Sequence, residues 1–243
     1  MPELSAASAQ SARLTNWSLE LIRIESLTPW YRRLVFADDG LAKRINLGPG
    51  GFLIFKLTDQ QGRPVKRSYS LAAIRPGLAG ERSEPASSEL VIDACLHQPV
   101  GPGSTWAAAA QVGDQVLVEQ PIYHWQAPAP GPSLLIADAA ALGAAGSIAA
   151  ALAGSSNQQP HWIGVDQRPD RASIIPALSQ SGVIDWVDAI SPEQLRAWTA
   201  DWPAQGAYLW AAGSASLVKT VRQFCRQQPA WSRNNWFAQT YWV

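Results

Sequence analysis

The chain has 243 residues, with 19 basic and 19 acidic side chains that cancel and 47% hydrophobic residues. That balance offers no electrostatic footprint for nucleic acid, and the length suits one large domain or two of ordinary size. Three histidines with neither CxxC nor HxxxH spacing give a structural or catalytic metal little support.

The opening "MPELSAASAQSARLTNW" has no basic segment ahead of an apolar one, so it reads as a loose tail over residues 1–16 rather than a secretory signal. A cytoplasmic location follows as the expectation. Cys95 and Cys225 could pair, but a reducing compartment and the lack of close cysteine spacing favour two buried thiols. Residues 17–123 then read as about six short strands separated by turns: "WSLELIRIESL", "YRRLVFAD", "GGFLIFKLTD", "RSYSLAAI", "LVIDACL" and "DQVLVEQP". One short helical insert interrupts them, and "GLAGERSEPASS" reads as a surface hairpin loop. Such spacing predicts a closed or nearly closed antiparallel Greek-key barrel.

At "QAPAPGPS", residues 126–133, prolines and a glycine break all periodicity, which predicts a linker. Beyond it strands alternate with helices: "SLLIADAA" into "GAAGSIAAAL", "HWIGVD" into "RASIIPALS", "VIDWVDA" into "SPEQLRAWTADW", and "AYLWAAG" into "SASLVKTVRQFCRQQ". This texture predicts a Rossmann-like α/β domain with a parallel sheet, giving a barrel domain over 17–127 and an α/β domain over 128–243. The apolar run at 133–154 contains Asp138 and several glycines, so it reads as a buried strand entering a helix and not as a membrane span. Ser191, followed by a proline and a glutamate, marks a capped helix start.

Two stretches carry chemistry. In "VKRSYSLAAI", alternation puts Arg67 and Tyr69 on one face of a strand with Ser70 at its edge. A guanidinium neutralises a diphosphate, a phenol ring lies against a ring system, and a hydroxyl bonds its edge. In "DACLHQPVGPGSTWAAAA", a strand ends near His97, a Pro-Gly turn follows and Ser104 reads as the cap of an alanine-rich helix. Free N–H groups at such a helix start suit a diphosphate.

In order along the chain, R-x-Y-S, D-x-x-L-H, G-P-G-S-x-W-A, "VGDQVLVEQP", "LLIADAAALGAAGSI" and "YLWAAG" with a terminal "YW" resemble the siderophore-interacting proteins, flavin-dependent ferric-siderophore reductases. The resemblance implies an FAD-binding barrel in which Arg67, Ser68, Tyr69 and Ser70 meet the flavin and phosphate side. It implies further that His97, Gly103, Ser104 and Thr105 hold the diphosphate with Trp106 packed behind them, and that Asp138 lies in the loop after the first strand of the second domain. Trp242, or Tyr241, would cover the isoalloxazine face unless the tail only packs as an edge strand.

The donor implied is NADPH or NADH. The G-x-G-x-x-G fingerprint is absent, and Arg168 and Arg171 after the second α/β strand stand where a 2′-phosphate could be met, a slight preference for NADPH. Departures from the family pattern are Ala72 in place of a second arginine, Ser214 in place of an acid, and an end at Val243. Lys66, Arg32 and Arg233 are candidates for an anionic iron chelate by charge alone. The expected activity is NAD(P)H-dependent reduction of a ferric siderophore with release of Fe(II), by a monomer with no membrane or nucleic-acid partner and no catalytic side chain of its own. Two alternatives stay open: a flavin oxidoreductase with another small-molecule or protein acceptor, and a non-catalytic nucleotide-binding module.

Overall fold

The computed structural model describes residues 16–38, 41, 48–76, 88–98, 100–122, 125, 128–156, 159–178, 183–202, 206–229, 231–232 and 234–242. The expected tail, the hairpin loop at 77–87 and Arg233 lie outside the described residues.

Six strands build the first half: β1 (Asn16–Thr28), β2 (Tyr31–Asp38), β3 (Phe52–Thr58), β4 (Pro64–Pro76), β5 (Ser88–Cys95) and β6 (Gln115–Ile122), with helix α1 (Pro102–Ala109) between the last two. They pair antiparallel in the order β1-β2-β5-β4-β3-β6, and β1 closes on β6. Alternation decides what fills the barrel. Leu53, Phe55 and Leu57 of β3 join Phe36, Leu71, Ile92 and Val118 in one core cluster, to which α1 adds Ala107. Each fully buried leucine or phenylalanine there contributes about 1.5–3 kcal/mol relative to exposure.

The second half is a five-stranded parallel sheet. Its elements are β7 (Ser133–Asp138), α2 (Leu142–Ser156), β8 (His161–Val165), a 3₁₀ turn (Arg171–Ile174) with the one-turn helix α3 (Ile175–Leu178), β9 (Ile184–Val187), α4 (Pro192–Thr199), β10 (Tyr208–Ser214), α5 (Ala215–Gln227) and β11 (Trp236–Trp242). Strand order is β11-β10-β7-β8-β9. The apolar run at 133–154 therefore divides between β7, buried throughout, and α2. Central strands feed both faces alternately: Leu135 and Ala137 pack under α2, while Leu134 and Ile136 pack with Leu195 of α4 and Val218, Val221 and Phe224 of α5.

Several local expectations need revision. The stretch "RASIIPALS" is not one helix but a 3₁₀ turn followed by a single α-turn; Pro176 lacks the N–H that a continuous ladder through this point would use. Ser104 does not cap α1, which begins at Pro102 with Gly101 as its N-cap, because proline at the first helical position is preset for that start. The tail does form an edge strand, β11, parallel to β10. At Ser191 the expectation holds: its hydroxyl accepts from Gln194 N, and Gln194 returns a bond to the Ser191 backbone. Both cysteines are free, Cys225 buried and Cys95 half-buried.

Helix α2 packs the sheet half directly against the barrel. A Cβ on Gly143 would lie 3.1 Å from the Ala72 methyl and 3.2 Å from Asp93 Cβ, and Gly50 donates its N–H to Ser147 Oγ at 2.9 Å. Gly50 itself has φ +70, and a Cβ there would meet Ile148 at 2.9 Å. Small residues on both sides let helix and barrel approach closely, with the Ala72 methyl facing Gly143.

Candidate functional site

The sheet reverses its winding at β7: the chain proceeds outward through β8 and β9, then returns to β10 on the other flank. Ligands of open α/β sheets gather at the carboxyl ends of the strands beside such a reversal. Here a cleft of ≈ 1300 Å³ opens there, walled by Trp30, Cys95, Leu96, His97, Ser104 and Thr105 from the barrel half and by Asp138, Val165, Asp166, Arg168, Ser214 and Trp242 from the sheet half.

Asp138 stands at the reversal point. It is the last residue of β7 and not part of the following loop, and because α2 starts only at Leu142 it is not the helix cap either. Its carboxylate is buried and accepts three N–H groups: Ala140 N at 3.0 Å, Ser214 N at 2.6 Å and the Trp242 indole at 2.8 Å. Burial raises its pKa to about 6 against the lowering by those three bonds, with the Asp166 charge adding a further upward push. The Trp242 ring in turn stacks on His97 of the barrel, centroids 5.2 Å apart and planes within 13°. One carboxylate thus holds the indole that spans the cleft.

Protonation near pH 6 gives this a measurable sign. Asp138 in the unfolded chain titrates near 4, so between about pH 4 and 6 the folded protein binds more protons and Asp138 lowers stability as pH rises, levelling above 6. Asp138→Asn removes this dependence. The stability difference between variant and wild type is expected to move in the variant's favour by about 2 kcal/mol from pH 4 to pH 7, measured by denaturant unfolding at each pH; a difference independent of pH would contradict the assignment.

The diphosphate and flavin candidates form a second, adjoining group. Arg67 and Tyr69 share a face of β4 and both approach Gly103: a Cβ on Gly103 would lie 3.0 Å from Tyr69 Oη and 3.5 Å from Arg67 Cγ. Tyr69 Oη donates to Gly103 O at 2.8 Å, and its ring packs with Phe55 and Trp106 at 5.0 and 5.5 Å. Burial raises the phenol's pKa. Arg67 is exposed and donates to the Lys66 carbonyl. Ser68 and Ser70 point to the opposite face, as alternation along a continuous strand requires. Ser68 is exposed there, whereas Ser70 Oγ donates to Tyr241 Oη at 2.9 Å. Arg67, Tyr69 and Ser70 therefore do not enter one pocket as a triad. The hydroxyl of Ser104, in the first turn of α1 on the cleft wall, is buried without a hydrogen-bond partner, and a buried polar atom so placed invites a ligand acceptor or donor.

Among the described candidate cations, Arg32, Lys66 and Arg171 are committed elsewhere. Arg32 donates to the Ala107 and Ala108 carbonyls at the end of α1, and Lys66 joins Lys56 on Glu119. Arg171 bonds Asp166 O and Asp188 and does not line the cleft. Arg168 does line it, bonded to Asp166 at 2.6 Å and laid over the Trp30 ring at 4.2 Å, while the Trp30 indole donates to both Asp170 oxygens. Trp30 escaped the sequence reading because nothing local marks a residue whose partner lies 140 positions away. Asp166 was legible: it directly follows the second α/β strand.

A closed antiparallel barrel docked on a parallel sheet, with a cleft at the strand reversal, is the fold of the ferredoxin reductases. Within that class the chain belongs to the siderophore-interacting protein family: residues 31–125 match the siderophore-interacting FAD-binding domain and residues 132–243 the siderophore-interacting protein domain. Its fold is similar to that of the siderophore-interacting protein SipS from Aeromonas hydrophila, at TM-score 0.66 and 24% identity over 94% of this chain and 92% of that one. A ferredoxin NADP+ reductase from Neisseria gonorrhoeae with bound FAD and NADP matches at TM-score 0.67 and 14% identity, covering 93% and 98%. Among curated proteins, the mycobactin import ATP-binding/permease protein IrtA of Mycobacterium tuberculosis is 25% identical over 235 residues, 91% of this chain. The chain spans about a quarter of the length of the curated relatives it matches. Among the described residues no helix is long and apolar enough to cross a membrane.

Proposed function

We propose that this chain is an FAD-dependent reductase that takes electrons from NAD(P)H and delivers them to a ferric siderophore, releasing iron as Fe(II), with residues 17–127 holding FAD and residues 128–243 receiving the donor. The proposed setting is the cytoplasm, as a monomer. The observation that carries the reading is the cleft itself. It joins an unpartnered Ser104 hydroxyl at a helix start to an indole poised on His97 at the sheet reversal.

The residues present fit FAD. The first turn of α1 offers backbone N–H groups and the free Ser104 hydroxyl to a diphosphate, and exposed Arg67, whose Cγ lies 3.5 Å from where a Gly103 Cβ would sit, has a side chain long enough to swing its guanidinium onto it. Bound there, FAD supplies hydride acceptance and one-electron donation, the chemistry that no side chain of this protein supplies. The protein's part is to bind, orient and exclude water. Trp242 and His97 stack face to face on the cleft wall, and Asp138 fixes the indole's tilt. Iron is substrate here, and reduction to the softer Fe(II) weakens its hold on a hard-oxygen chelator.

The test is anaerobic. Purified protein mixed with NADH or NADPH is expected to bleach its flavin, and addition of a ferric siderophore to restore the colour. Bleaching without reoxidation by ferric chelates would point to a different acceptor; a protein that takes up no FAD would remove the reading altogether. Arg67→Ala is expected to lower FAD retention on gel filtration at least tenfold, and unchanged flavin content would remove Arg67 from the site.

A further inference from the structure

From the pairing of charges where the donor's adenosine ribose would sit, and resting on the reading above, we infer that the electron donor is NADH and that Asp166 is the residue that rejects NADPH. In a strand-helix-strand unit, the acid at the end of the second strand meets a ribose 2′-hydroxyl, and an arginine nearby accommodates a 2′-phosphate. Both residue types are present here, so the outcome depends on whether the arginines are free.

Both are engaged by carboxylates. Arg168 bonds Asp166 Oδ2 through Nη1 at 2.6 Å and lays its face on Trp30, and its backbone N–H bonds Asp166 Oδ1 at 2.8 Å. Arg171 is taken by the Asp166 carbonyl and the Asp188 carboxylate. Asp170 sits beside them, accepting the Trp30 indole. Three carboxylates against two guanidiniums leave this corner with one net negative charge. A phosphate dianion would either sit against this surplus of negative charge or draw Arg168 away and leave Asp166, whose side chain is only 5% exposed, as a buried charge without its partner.

A 2′-hydroxyl asks for none of this. An ionised carboxylate has about four acceptor positions, and Arg168 occupies two of those on Asp166. The hydroxyl can donate to one of the others while the ion pair and the Trp30 stack stay intact. The reading of Arg168 and Arg171 as phosphate ligands is thereby reversed: Arg168 packs on Trp30 and ties down Asp166, and Arg171 links the Asp166 backbone to Asp188.

The experiment is calorimetric titration of the purified FAD-loaded full chain with NAD+ and, separately, NADP+. NAD+ is expected to bind at least tenfold tighter. In Asp166→Ser, Arg168 is released and the repulsion removed, so the NAD+ to NADP+ affinity ratio is expected to fall at least tenfold. In Arg168→Ala, which leaves Asp166 charged, the ratio is expected to stay unchanged, with circular dichroism confirming the fold of both variants. Tighter NADP+ binding by the wild type, or a selective loss of NADP+ affinity in Arg168→Ala, overturns the inference while the reductase reading stands. Tight NAD+ binding without reduction of ferric chelates does the reverse. Binding of neither dinucleotide removes the donor site and the inference with it.

Discussion

Asp93→Ala is expected to destabilise the protein by about 3–5 kcal/mol, lowering Tm by on the order of 10 °C. Asp93 on β5 and Arg33 on β2 form a two-pronged ion pair, Arg33 Nε to Asp93 Oδ1 at 2.8 Å and Nη2 to Oδ2 at 2.9 Å, with 4% of the Arg33 and 1% of the Asp93 side chain exposed. Removing the carboxylate strands a guanidinium under α2, close to where Gly143 meets the barrel. Removing both charges costs less, because burying a matched pair gains little over well-packed apolar groups. The check is denaturant unfolding of Asp93→Ala beside the double variant Arg33→Met, Asp93→Leu. If the single variant loses less than about 1 kcal/mol, or the double variant loses more than the single, the pair is not the isolated buried contact described.

Gly213→Ala is expected to cost about 4 kcal/mol or more, from two sources that can be separated. Gly213 has φ +144, a conformation that side-chain-bearing residues rarely adopt and that carries about 1–3 kcal/mol of strain. The new methyl would also lie 2.4 Å from Asp138 Cγ and 2.5 and 2.7 Å from its two oxygens. The carboxylate must move, and the N–H groups of Ser214, Ala140 and Trp242 lose their acceptor, each such loss costing about 1–3 kcal/mol where buried. Combining Gly213→Ala with Asp138→Ala relieves the collision but not the strain. The double variant is therefore expected to be more stable than the sum of the singles by at least about 1 kcal/mol. Strict additivity would show that the methyl does not reach Asp138.

Both variants act on motif residues whose work the motifs did not disclose. The aspartate of D-x-x-L-H looks like part of a ligand signature, yet its side chain is sealed in an ion pair with a neighbouring strand. The glycine of "YLWAAG" looks like the end of a strand, yet its missing side chain is the space Asp138 occupies. By contrast, Ala72, a departure from the family pattern, has a plain structural reading: its methyl faces Gly143 across the joint with α2.

Alternating and strand-helix patterns in the sequence were enough to determine a barrel followed by a parallel sheet, because side-chain period and burial are local properties of each element. The same holds for the convergence of Arg67 and Tyr69 on one strand face and for the capped start at Ser191. Only the tertiary structure decided which charges remain available. Arg168 and Arg171 read as free cations along the chain and are paired in space with Asp166 and Asp188, while Trp242 finds Asp138 across 104 positions. Such pairings depend on how two separately folded halves dock, and docking is set by small residues at a distance, Gly50, Ala72 and Gly143, whose spacing along the chain carries no periodic signal.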